Sequence, residues 1–181
     1  MSQGHGLTVL GIDPGLSVTG YGLVRLEGSR HTALDFGAIR LGDRLSRPEK
    51  LRRIHDGLAG IIRDASPDEV AVEDFIVGHV RAAVAVGEAR AAAVLAAARA
   101  GLPVALYKPL EVKQFVTTYG RGSKEQVALM VQALLGLDAP PTPPDAADAL
   151  AVAICHCLRR DSPTSNLQPL GSGAGSRRVA R

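Results

Sequence analysis

Four acids stand where acids are awkward. Asp13 closes the apolar run Val9-Leu10-Gly11-Ile12, just ahead of a turn. Glu73 lies inside Val70-Ala71-Val72-Glu73-Asp74-Phe75-Ile76, where alternation sets it among apolar neighbours. Asp145 and Asp148 are three residues apart at the start of a helix, which puts both carboxylates on one face. The residues that follow, Ala149 to Ile154, are all apolar, so the body of that helix must be buried. Burying charges without partners is expensive, and these segments do not offer an Arg or Lys for each acid. A divalent cation is the fitting partner. Mg²⁺ takes oxygen ligands and keeps open positions for a substrate phosphate and water. Two such ions, roughly 4 Å apart, could activate an attacking water and stabilise the leaving 3′-oxygen of a phosphodiester.

Each acid also has a plainer reading. Asp13-Pro14-Gly15 has the composition of a turn, Asp145 could complement a helix dipole, and Glu73 could face water from an edge strand. Each plainer reading is comfortable alone and their joint occurrence less so, which keeps a carboxylate metal site open beside them. Cys155-His156-Cys157 resembles a metal cluster only on paper. Helix neighbours one and two apart point in different directions, so buried thiols beside a partly exposed His156 are expected instead. Two cysteines provide no disulfide framework.

The elements that must position these groups follow from periodicity. Residues 7–28 read as a strand, a glycine-containing turn over Asp13–Gly20 and a second strand. Residues 31–41 form a third strand. Ser46 is a predicted N-cap for a helix with Leu51, Ile54, Leu58, Ile61 and Ile62 at helical spacing, and Pro67 stops it. Residues 69–77 read as a buried strand. An alanine-rich helix is predicted from Arg81 to Ala100, ending at Gly101. A short strand over 103–109 leads to a helix over 111–120 and a Gly/Ser loop, Gly120–Ser123. A helix over 124–137, a rigid proline linker at 140–144 and the last helix, 145–160, complete the domain. The pattern predicts an α/β mixed sheet of about five strands with helices on both faces.

Residues 1–161 are expected to be one domain and 162–181 a flexible basic tail, with too little apolar content to fold. Hydrophobic residues make up 46% of the chain and charged residues 22%, ordinary for a globular protein. No apolar run is long enough to cross a bilayer, and the N-terminus has no signal-peptide pattern. The cytoplasm is the expected location, with no membrane association. The net charge is +3, but residues 177, 178 and 181 of the tail account for it, and residues 1–161 hold 18 basic and 18 acidic side chains. That balance suits DNA binding only if several acids are withdrawn into one site.

The segments GIDPGLSVTGYGLV, AVEDF and DAADALAVAICHC, with GEARAAAVLAAA and EVKQFVTTYGRGSKEQVALMV between them, resemble the RuvC family of Holliday junction resolvases over about residues 8–158. The resemblance implies an RNase H-like fold and a homodimer with two active sites. It also implies Mg²⁺- or Mn²⁺-dependent cutting of opposed strands in four-way junction DNA, with two ions per site, alongside branch-migration proteins of the same repair pathway. The family's four acids fall on Asp13, Glu73, Asp145 and Asp148. Two lysines used near the scissile strand match Lys113 and Lys124, and Lys124 follows the TTYGRGS loop that carries Arg121 as a further DNA contact. Relatives often place an aromatic wedge three positions after the glutamate. Here Phe75 is two positions on and Ile76 three, so both are candidates. The resemblance further suggests that part of the alanine-rich helix packs on its symmetry mate, as an alternative to tight packing within one subunit.

Three other classes remain in view: an actin-like ATPase, which shares the glycine turn after a strand-end Asp, a non-catalytic junction-binding protein, and an RNase H-like nuclease acting on another nucleic acid. ATP turnover marks the first, and the second needs no convergence of four acids.

Overall fold

A computed structural model of the chain describes residues 6–74, 80–117 and 123–161. Its elements are β1 (Leu7–Asp13), β2 (Val18–Glu27), β3 (Arg30–Arg40), α1 (Arg47–Ala65), β4 (Glu69–Glu73), α2 (Val80–Arg99), β5 (Val104–Tyr107), α3 (Pro109–Thr117), α4 (Lys124–Leu135) and α5 (Pro144–Asp161). The strands form one sheet in the order β3-β2-β1-β4-β5. β1, β2 and β3 pair antiparallel, while β4 runs parallel to β1 and β5 parallel to β4. The mixed sheet follows from the connections. Short turns join antiparallel neighbours, and the return to a parallel strand needs a crossover such as α1 or α2.

Alternation along the strands divides the core into two layers. Leu10, Ile12, Val70 and Val72 point to one face, where Ile54, Leu58 and Ile62 of α1 and Ala89, Ala92, Ala93, Ala96 and Ala97 of α2 cover them. Val9, Val24 and Ala71 point to the other face, beneath α5 and its flanking helices α3 and α4. The alanines of α2 therefore pack within the subunit against α1 and the sheet. Those left outward are fewer.

Local signals explain the boundaries. Ser46 caps α1 in a capping box with Glu49, whose Oε2 accepts from the Ser46 amide at 2.8 Å. Ser66 ends α1 in the left-handed conformation, φ 46°, immediately before Pro67. Ser123 caps α4, its side chain accepting from the Gln126 amide. β4 spans Glu69–Glu73 of the strand expected over 69–77, and residues 75–77 lie outside the described residues. The Asp74 amide still donates to the Tyr107 carbonyl of β5 at 2.7 Å, while its side chain pairs with Arg90 of α2.

Candidate active site

The site lies where the C-terminal ends of β1 and β4 meet the start of α5. Bare backbone makes that meeting possible. On the face that receives α5, β1 presents Gly11 and β2 presents Gly20 and Gly22, with Gly11 paired to Gly22 and Asp13 to Gly20. A Cβ on Gly20 would overlap the Asp145 carbonyl, and one on Gly11 would overlap the Ala149 carbonyl and Ala153. The helix answers with its own small side chains, so α5 rests directly on the sheet and its first turn comes to Asp13. Sequence reading placed Gly20 in a turn and missed this seat; its signal was glycine at alternate strand positions facing a helix rich in alanine.

Asp13 is the last residue of β1 and Glu73 the last of β4. The parallel register Ile12↔Val72 puts the two carboxylates level on adjacent strands. Both are half-buried, as are Asp145 and Asp148 on the first turn of α5. Burial foremost, then repulsion from Asp148 and Asp145, pushes the Asp13 carboxyl up to about 6. Burial, then the charge of Asp13 and a hydrogen bond to it, pushes Glu73 up to about 8, with Asp148 adding to the rise. Both carboxyls are thus pushed towards protonation, Glu73 further than Asp13.

Lys124 opens α4 beside this group. Its Nζ lies 3.3 Å from Asp148 Oδ2, and it draws both Asp13 and Glu73 towards ionisation. The field of Asp148 in turn holds the Lys124 ammonium above its ordinary range. One ammonium, three-quarters exposed, cannot balance four carboxylates. Lys113 is half-buried on α3, which packs against α4 and α5. Phe75, Ile76, Arg121 and the tail 162–181 lie outside the described residues.

The donor set is suited to a hard divalent cation: four carboxylates, all oxygen, of which Asp13 and Glu73 are pushed towards protonation by burial and by their acidic neighbours. Among the described residues, no three His, Cys, Asp or Glu side chains already stand together as a ready-made cage. Asp13 and Glu73 would be the inner ligands, with Asp145 and Asp148 closing from α5.

His156 corrects an expectation. It is buried, at 2% exposure, between two polar partners that the sequence reading did not connect. Its Nδ1 lies 2.8 Å from the Tyr107 hydroxyl and its Nε2 2.6 Å from Glu69 Oε2, and Arg160 also pairs with Glu69. A carboxylate only accepts, so Nε2–H donates to Glu69 and Nδ1 receives the tyrosine proton. Cys155 and Cys157 are buried thiols, as expected.

The chain as a whole has close counterparts among known proteins. The family profile "Crossover junction endodeoxyribonuclease RuvC" matches residues 9–156. A relative of that name from Syntrophomonas wolfei is 45% identical over 173 residues, covering 95% of this chain and all of the other. The Thermus thermophilus RuvC structure superposes with a TM-score of 0.78 at 37% identity, covering 85% of this chain and 95% of that one. The same protein in complex with Holliday junction substrate gives 0.79 at 37% identity, covering 83% and 93%.

Proposed function

The chain belongs to the RuvC family of crossover junction endodeoxyribonucleases, and from that membership we propose that it resolves four-way DNA junctions through the site at the ends of β1, β4 and α5. It is a nuclease of the RNase H-like fold. The finer reading is a divalent-metal-dependent hydrolysis in which Asp13, Glu73, Asp145 and Asp148 hold Mg²⁺ or Mn²⁺, two per site. The observation that carries it is the convergence of half-buried Asp13 and Glu73, at the ends of adjacent parallel strands, with Asp145 and Asp148 on the first turn of α5.

When bound, the ions would supply the Lewis acidity that makes water a nucleophile and stabilises the departing oxygen. The chain's own groups do the rest. Asp13 and Glu73 would hold the ions from rigid strand ends, and so set where the reacting phosphate can bind. Asp145 and Asp148 approach from the helix that the glycine seat pins in place. Lys124, steered by Asp148, reaches a non-bridging phosphate oxygen, and Lys113 neutralises the neighbouring backbone. Water adds to phosphorus, the P–O3′ bond breaks, and a 5′-phosphate and a 3′-hydroxyl remain.

A junction presents two equivalent strands, so a twofold homodimer would cut both. Outward on α2, Val84 and Leu95 are about half exposed, which supports that helix as the contact. Among the described residues no helix is long and apolar enough to cross a membrane. The cytoplasm, in concert with branch-migration proteins, is the proposed setting.

The test offers a synthetic four-way junction and a linear duplex of the same sequence, with and without Mg²⁺. Cutting of the junction alone, and only with the ion, is expected. Asp13→Asn, Glu73→Gln, Asp145→Asn and Asp148→Asn should each slow cutting by more than about 100-fold while junction binding persists. Binding that falls in step with cutting would make these acids structural and end the proposal.

A further inference from the structure

The even charge balance of residues 1–161 hides an uneven distribution. Residues 40–53 hold six of the 18 basic side chains and two of the 18 acids. One of those acids, Glu49, is engaged in capping α1. Arg47 pairs with Glu88 and Arg52 with Asp56. Arg40 and Arg44 are exposed and Lys50 is half-exposed, and none of the three forms a salt bridge among the described residues.

Topology puts this cluster at the catalytic end of the sheet. β3 runs antiparallel to β2 and ends beside the start of β2, with Arg40 paired to Val18, two residues beyond the level of Gly20 and Asp13. The segment is tied to the loop that follows Asp13, because the Leu41 amide donates to the Ser17 carbonyl at 2.9 Å. Strands are about 4.8 Å apart and rise about 3.3 Å per residue, so the Arg40 backbone lies on the order of 12 Å from that of Asp13. At about 3.4 Å of duplex axis per base pair, this is three to four pairs from the cut. Lys124 stands beside the acids at the start of α4, its Nζ 3.3 Å from Asp148 Oδ2. The cations of residues 40–50 form a second basic group near the acids, one that the chemistry above leaves unused.

We propose that Arg40, Arg44 and Lys50 form a phosphate-contacting track that holds a duplex arm of the junction a few base pairs from the scissile bond. The proposal rests on the nuclease reading above and adds a contact surface to it. Loop 41–46 and the first turn of α1 act as a shelf that grips the backbone without reading bases. Their charge, facing an acidic centre, keeps DNA near a site that would otherwise repel it.

The experiment uses the full chain and a fluorescent synthetic four-way junction, titrated by anisotropy between 50 and 200 mM salt without divalent ion. The triple variant Arg40→Ala/Arg44→Ala/Lys50→Ala should flatten the salt dependence of log K by about two to three units of slope and weaken binding at least about tenfold. Arg44→Glu alone should weaken binding in the same direction. Arg40→Lys/Arg44→Lys should restore the slope, since a phosphate track needs charge rather than shape. Arg63→Ala, at the far end of α1, should bind like wild type. The cutting rate at saturating protein should stay unchanged in the triple variant. An unchanged slope and affinity in the triple variant, with wild type still cutting, would overturn the track and leave the nuclease reading intact. A fall in the saturated cutting rate would overturn it too, by making these residues part of the cutting apparatus. Failure of wild type itself to bind or cut the junction would remove both.

Discussion

Two sets of buried titratable groups meet the same desolvation problem in different ways. His156 has both ring nitrogens satisfied, one by Tyr107 and one by Glu69. Burial keeps its imidazole below the usual range, against the pull of Glu69, and the neutral ring fits its hydrogen bonds. Among the described residues, Asp13 and Glu73 face each other, one lysine and two more acids. The first arrangement pairs every polar atom of the ring; the second gathers like charges, which a divalent ion would offset. Both members of the acid pair have folded values above their ordinary 3.8 and 4.5. In the metal-free protein their contribution is therefore fully present below about pH 4 and lost as pH rises through about 6 to 8. The melting temperature of wild type, relative to Glu73→Gln, should fall between pH 5 and pH 9. At pH 8 a divalent ion at a hundredfold excess over its Kd should stabilise wild type by about 2.7 kcal/mol, and the variant by much less. A pH-independent difference between the two would mean that the pair is not pushed towards protonation.

The acids are only as well placed as the helix that brings two of them. α5 packs against both β1 and β2, and Gly20 is the point of closest approach to Asp145. Gly20→Ala forces either the strand or the helix to move, since the obstacle is a backbone carbonyl and not a flexible side chain. Overpacking of this kind costs about 1–3 kcal/mol. A shift near 1 Å at Asp145 and Asp148 should slow cutting by about 100-fold. Denaturant unfolding and single-turnover cleavage measure the two effects. Gly42→Ala is the matched control, because a Cβ there meets nothing within 4 Å. Equal activity in the Gly20 and Gly42 variants would show that α5 has slack against the sheet.

On the scale of the whole molecule, the two faces of the sheet have different tasks. α5, α3 and α4 cover the face that carries the acids, while α1 and α2 cover the other with an alanine-rich layer. Because those alanines are used inside the subunit, any pairing of copies through α2 must rely on its outward residues, above all Leu95, 53% exposed, and Val84, 49% exposed. The double variant Val84→Glu/Leu95→Glu should sediment as a monomer where wild type sediments as a dimer, with unchanged circular dichroism. On a junction it should leave single nicks in place of paired cuts. A wild-type monomer, or a variant that still dimerises, would move the contact elsewhere.

Sequence alone determined the element order and the mixed sheet and pointed to four candidate acids, because each leaves a local trace. Helical and strand periods register burial directly, and an acid that interrupts an apolar run marks a charge that burial must answer. The ordered motifs carried the family. Tertiary structure decided what depends on residues far apart in the chain. The seat under α5 exists only because Gly11, Gly20 and Gly22 come together when β1 and β2 pair. His156, expected to be partly exposed, is buried because Tyr107 and Glu69 arrive from two other strands to satisfy it. The side chain of Asp74 finds an arginine sixteen residues on. Periodicity records whether a position is buried; it does not record which partner will meet it there, because that is fixed by packing between elements.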